Sequence, residues 1–144
     1  MRSKILAIAL VLLSPIVYYY LTMLFIMHVS FPIIHAFTIK SLTPLAIVFI
    51  LVNTICAIIT AFVTVLPCSY LLGANPKYII ALFLITILSF PIATFFMQSD
   101  FNKLTSIVFV GQCVAVSISV YYFANVGYRR AAQKKRGAVG GHTL

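Results

Sequence analysis

The C-terminal part of the chain constrains the fold most, because a long apolar run is followed at once by a cluster of basic residues. The run covers about 24 residues, 104–127, and roughly 20 suffice to cross a bilayer as a helix. Five basic residues follow with no acid among them: Arg129, Arg130, Lys134, Lys135 and Arg136. Since Lys and Arg beside a span are retained on the cytoplasmic side, this stretch predicts a membrane helix with a cytoplasmic C-terminus.

Composition indicates that the rest of the chain also lies in a membrane. Of its 144 residues, 63% are hydrophobic and 8% are charged, whereas a soluble domain carries about 25% charged residues. Three further apolar runs precede the last one, so the sequence predicts an all-α integral membrane protein, a bundle of four transmembrane helices. The predicted spans are about 5–27, 45–72, 78–97 and 104–127, within a domain of residues 1–128. Residues 129–144 are predicted to form a basic, disordered cytoplasmic tail.

The distribution of charge predicts that both termini are cytoplasmic. In that orientation eight of the ten Lys and Arg residues lie on the cytoplasmic side, and Lys40 and Lys103 lie outside. The formal net charge of +9 then follows from topology, so a nucleic-acid partner is not expected. The predicted location is a bacterial inner membrane, where the basic tail would contact anionic lipids in the bilayer.

The connections between the spans carry their own signals. Residues 28–43 are too apolar for a free loop, which predicts a short interfacial segment between spans one and two. In the link 73–77, Gly73 suits the end of span two, and Asn75 with Pro76 suits the start of span three. A link this short predicts that spans two and three are antiparallel neighbours.

Two amide side chains are predicted to lie at the same depth. Asn53 and Gln112 each lie eight residues after the outer start of their span, at a depth of roughly 12 Å. Small residues recur at helical spacing beside them: Ala57, Ala61, Gly111, Ala115 and Ser119. Small residues let membrane helices approach, and amides then hydrogen-bond across the interface. The sequence therefore predicts packing of span two against span four here, with a seam between copies of the chain or a substrate-lining patch as alternatives.

Polar and aromatic side chains mark the outer half of the bundle. A polar cluster is expected at the outer face: His28, His35, Lys40, Asp100 and Lys103. Metal sites usually need three or four ligands, and haem held by two histidines needs them on facing helices, so no metal or cofactor is expected. Successive helical residues point about 100° apart, so at least one hydroxyl of the run Tyr18, Tyr19 and Tyr20 should face the bundle.

The residues that the spans lack exclude several active classes. No Asp, Glu, Lys or Arg lies within a predicted span, whereas proton-coupled transporters and pumps carry one. Paired carboxylates, a phosphate loop and a Ser-His-Asp set are also missing. The leading hypothesis is a small non-enzymatic integral membrane protein that acts through helix contacts with a membrane-protein partner or itself, as an accessory, assembly, immunity or regulatory subunit. Two alternatives stay open: an oligomeric carrier or pore for a lipid or lipid-linked substrate, and a redox, haem or quinone-associated subunit using His28 and His35.

Overall fold

The regular structure of the protein is helical throughout the residues that the computed structural model describes, 2–37, 41–97 and 102–140. Helix α1 (Arg2–Phe25) continues through a π-helical turn (Ile26–Ser30) into α2 (Phe31–Ala36), and α3 (Leu42–Thr60) continues through a second π turn (Ala61–Val65) into α4 (Leu66–Leu72). Helices α5 (Pro76–Met97) and α6 (Lys103–Gly140) complete the fold. The described residues thus form four continuous helices, and each is long and apolar enough to cross a membrane, as the sequence predicts.

Each π turn lies directly before an X-Pro pair. Pro32 follows the first turn and Pro67 the second, each at the second residue of the next helix. A proline ring has no N–H and clashes with the carbonyl of residue i−4. The wider turn relieves that clash, because the amide of Phe31 bonds to the carbonyl of Ile26, five residues back. The first helix therefore continues past residue 27, and the predicted interfacial segment begins as its extension α2.

Pro15 lies inside α1 without ending it, because a neighbouring side chain replaces the missing donor. The amide that proline lacks would have bonded to the carbonyl of Val11. The hydroxyl of Ser14 donates to that carbonyl at 2.7 Å. Ser14 is fully buried, so the bond satisfies an acceptor that water cannot reach.

The four long helices form a bundle in which α1 lies diagonally opposite α6, and the continuous helix α3–α4 lies diagonally opposite α5. Helix α1 packs against α3, α4 and α5, and α6 packs against the same three helices. Within the described part of the chain, α5 does not pack along α3 or α4. Spans two and three run antiparallel as predicted, but the prediction that they pack as neighbours was wrong. A short link determines only that two helix ends lie close together. Which helices then pack along their lengths depends on which of their faces are buried.

One end of the bundle collects basic side chains, and we call it the basic end: Lys4, Lys77, Arg129, Arg130, Lys134 and Arg136. The start of α1 meets the end of α4 there, since the thiol of Cys68 lies 3.9 Å from the carbonyl of Ala7. The last part of α6 reaches the same place, with Lys134 Nζ 5.7 Å from the ring centroid of Tyr70. Lys103 begins α6 at the opposite end.

Helix α6 extends well past the predicted span. It continues to Gly140, where the sequence predicted a disordered tail from residue 129. Residues 131–136 are Ala, Gln, Lys and Arg, all strong helix formers, and Ala131 is buried. Residues 141–144 lie outside the described part of the chain.

Helix α6 approaches α4 closely at Gly127. A Cβ atom there would lie 2.7 Å from the carbonyl oxygen of Leu66 and 2.8 Å from the Cβ of Ser69. Beside this contact the hydroxyl of Ser69 donates to the carbonyl of Ala124 at 2.6 Å. Only glycine fits at position 127 without moving the backbone of α4.

Gly127→Ala should destabilise the bundle more than Gly111→Ala. Overpacking a tight contact costs about 1–3 kcal/mol, and the neighbours of Gly127 include a backbone oxygen that cannot rotate away. At Gly111 the three nearest atoms all belong to the side chain of Ile50, with Cγ1 nearest at 2.8 Å, and a side chain can shift without moving the backbone of α3. Both substitutions gain the same helix propensity, so unfolding in detergent compares packing alone. Equal losses of stability would contradict the close crossing at Gly127.

Candidate functional site

The faces of α3 and α6 that carry the predicted packing residues meet along a parallel seam. Ile50 lies against Gly111 near one end of the seam, and α4 lies against Gly127 near the other. Both helices therefore run in the same direction, as spans two and four should. The predicted residues of α3 and of the following π turn, Asn53, Ala57 and Ala61, are buried. On α6, Ala115 and Ser119 are buried and Gly111 is half-buried.

An apolar groove opens along this seam on the outer surface of the bundle. It encloses about 600 Å³, within the range of small-molecule sites. Gly111, Ala115 and Ser119 line it, and exposed aliphatic residues stand along it, such as Ile58 of α3 and Ile118 of α6. From Gly111 to Phe123 the groove follows α6 for about 18 Å.

The side-chain amides of Asn53 and Gln112 were predicted to bond to each other, but each bonds to another group. Gln112 Nε2 donates to the hydroxyl of Tyr18 at 2.8 Å. Asn53 Nδ2 donates to the carbonyl of Phe49 in its own helix at 2.9 Å. Asn53 Oδ1 is buried without a hydrogen-bond partner among the described residues. The predicted bond between Asn53 and Gln112 is therefore not formed.

The bond from Gln112 to Tyr18 joins the two helices that face each other across a diagonal. Tyr18 is fully buried, whereas Tyr20 is 67% exposed, which confirms that at least one hydroxyl of the tyrosine run faces the bundle. Tyr19 packs edge-on against Phe90 of α5, with ring centroids 4.6 Å apart. The tyrosine run thus orients α1 toward both α5 and α6.

Gln112 also borders a smaller cavity at the end of the bundle opposite the basic end. This cavity of about 250 Å³ lies among α3, α5 and α6. Its walls include Phe95 and Phe109, stacked with centroids 4.3 Å apart, and the hydroxyls of Thr94 and Thr105. Its volume is below the range of about 300–1,000 Å³ that is usual for ligand sites.

The basic residues proposed for lipid contact lie on the last turns of α6. Arg129, Arg130 and Arg136 are exposed, and Lys134 is exposed with its ammonium near the ring of Tyr70. The side chain of Lys135 lies outside the described part of the structure. These residues project from a helix and not from a disordered chain, so their spacing is fixed.

The predicted outer polar cluster is described only in part. His28 lies in the first π turn and His35 in α2, both exposed and both on the first long helix. Lys103 is exposed at the start of α6. Lys40 and Asp100 lie outside the described residues. Within the described ranges, no group of three or more His, Cys, Asp or Glu residues could hold a metal ion.

Comparison with known proteins adds no assignment to this geometry. No family model, no curated protein and no solved structure matches the chain.

Two contacts near the basic end were missed by the sequence analysis. The first is the crossing of Gly127 with Ser69, and the second is the position of Lys4 in a groove beside α5. The first had a detectable signal, since Ala124, Gly127 and Ala131 follow one another at three- and four-residue spacing. The second had none, because a lysine before a span also serves as a topology signal.

The hydrogen bond from Gln112 to Tyr18 predicts which pair of polar substitutions has non-additive effects on stability. Tyr18→Phe leaves the Gln112 amide without its partner, and Gln112→Leu removes the same bond from the other side. The double variant Tyr18→Phe/Gln112→Leu should recover part of the loss, with a coupling energy of about 0.6–2 kcal/mol. The matched pair Asn53→Leu and Gln112→Leu should be additive in the same unfolding assay. Coupling of the second pair without coupling of the first would contradict the geometry.

Proposed function

We propose that this chain is a small non-enzymatic integral membrane protein that acts through helix contacts, as an accessory, assembly, immunity or regulatory subunit of a membrane system. The observation that carries the proposal is the apolar groove between α3 and α6. It lies on the outside of the bundle, and exposed apolar side chains border it. In lipid, such a groove with small residues along it is the surface against which another helix packs.

Membrane insertion is the first part of the proposal. Large exposed apolar residues occur on all four long helices, including Leu12, Ile47, Ile85 and Ile118. A soluble monomer rarely exposes contiguous apolar surface of this extent. Hydrocarbon would cover these side chains at no cost, which a water-exposed bundle of the same shape could not achieve.

Orientation follows from the basic end. The start of α1, the link between α4 and α5 and the last turns of α6 meet there. A cytoplasmic basic end satisfies the positive-inside rule and makes both termini cytoplasmic. A bacterial inner membrane suits this arrangement, and Arg129, Arg130, Lys134, Lys135 and Arg136 would then contact anionic lipid headgroups.

The partner that the α3–α6 groove fits best is a transmembrane helix. The groove follows α6 for about three turns, which suits the ridge of side chains along one face of a helix. Thr54 and Ser119 line it and offer oxygen atoms as hydrogen-bond acceptors. The groove contains no charge that would favour a polar ligand.

Photocrosslinking tests this role. A photoreactive residue in place of Ile118, which is 64% exposed in the groove, should form a discrete adduct with a membrane protein. The same residue in place of Ile85, which is 72% exposed on α5 and away from the groove, should give none. Val114→Phe fills the groove and should abolish the adduct, whereas Ile85→Phe should preserve it.

The outcomes separate the candidate functions. An adduct between two copies of the chain would favour the oligomeric carrier or pore. Adducts that are equal at both positions, or that survive Val114→Phe, would contradict docking in the groove.

A further inference from the structure

A second groove opens at the basic end, between α1 on one side and, on the other, Leu72 at the end of α4 and Leu82 of α5. It encloses about 390 Å³. Its floor is formed by the buried Ala7 and Val11. Exposed aliphatic residues of the three helices form its rim: Ile8, Leu12, Leu72 and Leu82. A small floor between larger side chains leaves a narrow apolar channel that is open to the side of the bundle.

One charged residue, Lys4, lines this groove. Lys4, Ile8 and Leu12 follow one another four residues apart, so they lie on one face of α1. The groove therefore extends for about 12 Å from a cation into apolar surroundings. The described residues include no acid, so Lys4 has no carboxylate partner among them.

We propose that this groove binds an anionic phospholipid, with the phosphate at Lys4 and the first part of an acyl chain between α1 and α5. The inference rests on the proposed membrane insertion, and it concerns a different surface from the α3–α6 groove. The basic end lies at the membrane surface in that orientation, which is the level of phospholipid phosphates. A phospholipid is the membrane component that carries an anion directly beside an apolar chain.

The shape of the groove favours this occupant over the other candidates. The groove covers only about two turns of α1, so a transmembrane helix of about 20 residues would gain less contact here than along the three turns of the α3–α6 groove. An apolar helix packed there would also leave Lys4 without a counter-charge. A free phosphate would gain the charge of Lys4 but nothing from the apolar floor.

Lipid titrations of the detergent-purified full chain by native mass spectrometry test the proposal. Phosphatidylglycerol and phosphatidylcholine with the same acyl chains are the probes, and phosphatidylglycerol should bind more tightly. Lys4→Gln should weaken phosphatidylglycerol binding about fivefold, the equivalent of about 1 kcal/mol per basic residue. It should weaken phosphatidylcholine binding less, because the choline cation offsets the charge of that lipid's phosphate. Lys77→Gln removes a charge from the same end but outside the groove, and should change either affinity less than twofold.

A second pair of variants tests the acyl-chain part of the groove. Leu82→Phe enlarges a side chain that lines the groove and is 46% exposed, so the bundle can fold around it. It should weaken the binding of both lipids, whereas Ile85→Phe, one turn away on α5, should weaken neither.

Three results would overturn the proposal. Equal losses for Lys4→Gln and Lys77→Gln would indicate a diffuse effect of charge at the basic end. Full binding by Leu82→Phe would remove the acyl chain from the groove. Competition by glycerol phosphate at the concentration effective for phosphatidylglycerol would indicate a free-phosphate site. Recovery of the protein without detergent in the soluble fraction would instead contradict membrane insertion, so the two failures are distinguishable.

Discussion

The prolines inside the helices impose the constraint on which the rest of the structure depends, since each removes a backbone donor from a chain with few polar groups to replace it. For Pro15, Pro32 and Pro67 the solutions are local and differ from site to site. At Pro15 the hydroxyl of Ser14 donates a hydrogen bond at 2.7 Å to the carbonyl of Val11, which the proline leaves without its backbone donor. At Pro32 and Pro67 the preceding turn widens into a π turn. These adjustments keep the helices continuous, and continuous helices are the structures that can satisfy their own backbone in hydrocarbon.

Small residues then decide how the continuous helices pack. At Gly127 the backbones of α4 and α6 are so close that no side chain fits between them. At Gly111, α6 lies far enough from α3 for the side chain of Ile50 to fill the gap, and a groove remains beside it. One end of the α6 face is thus used for internal packing, and the other borders the open groove in which we propose that a partner helix docks. The same contrast occurs on α1, where Tyr18 reaches across the bundle and the residues from Lys4 to Leu12 line an open groove.

The number of helices and several of their ends were predictable from the sequence, because those features depend on neighbouring residues. Gly73 ends α4 with φ of 52°. At the start of α5, Oδ1 of Asn75 accepts a hydrogen bond from the backbone N–H of Lys77. The packing order was not predictable, since a short link between α4 and α5 does not determine which faces are buried. The partner of Gln112 was missed for a related reason. Equal depth on two parallel helices indicates that two amides are level, but the direction of each side chain depends on helix rotation.

The central claim, a membrane bundle with its basic end inside, is tested most directly by the accessibility of single cysteines to a membrane-impermeant maleimide. Asn75→Cys and Gln133→Cys are exposed near the basic end, and Ala36→Cys and Lys103→Cys are exposed near the other. The wild-type chain, with Cys56 and Cys68 buried and Cys113 half-buried, serves as the blank. In intact bacterial cells only positions 36 and 103 should be labelled, and positions 75 and 133 should react after permeabilisation. The reverse pattern, or equal labelling of all four positions in intact cells, would contradict this account.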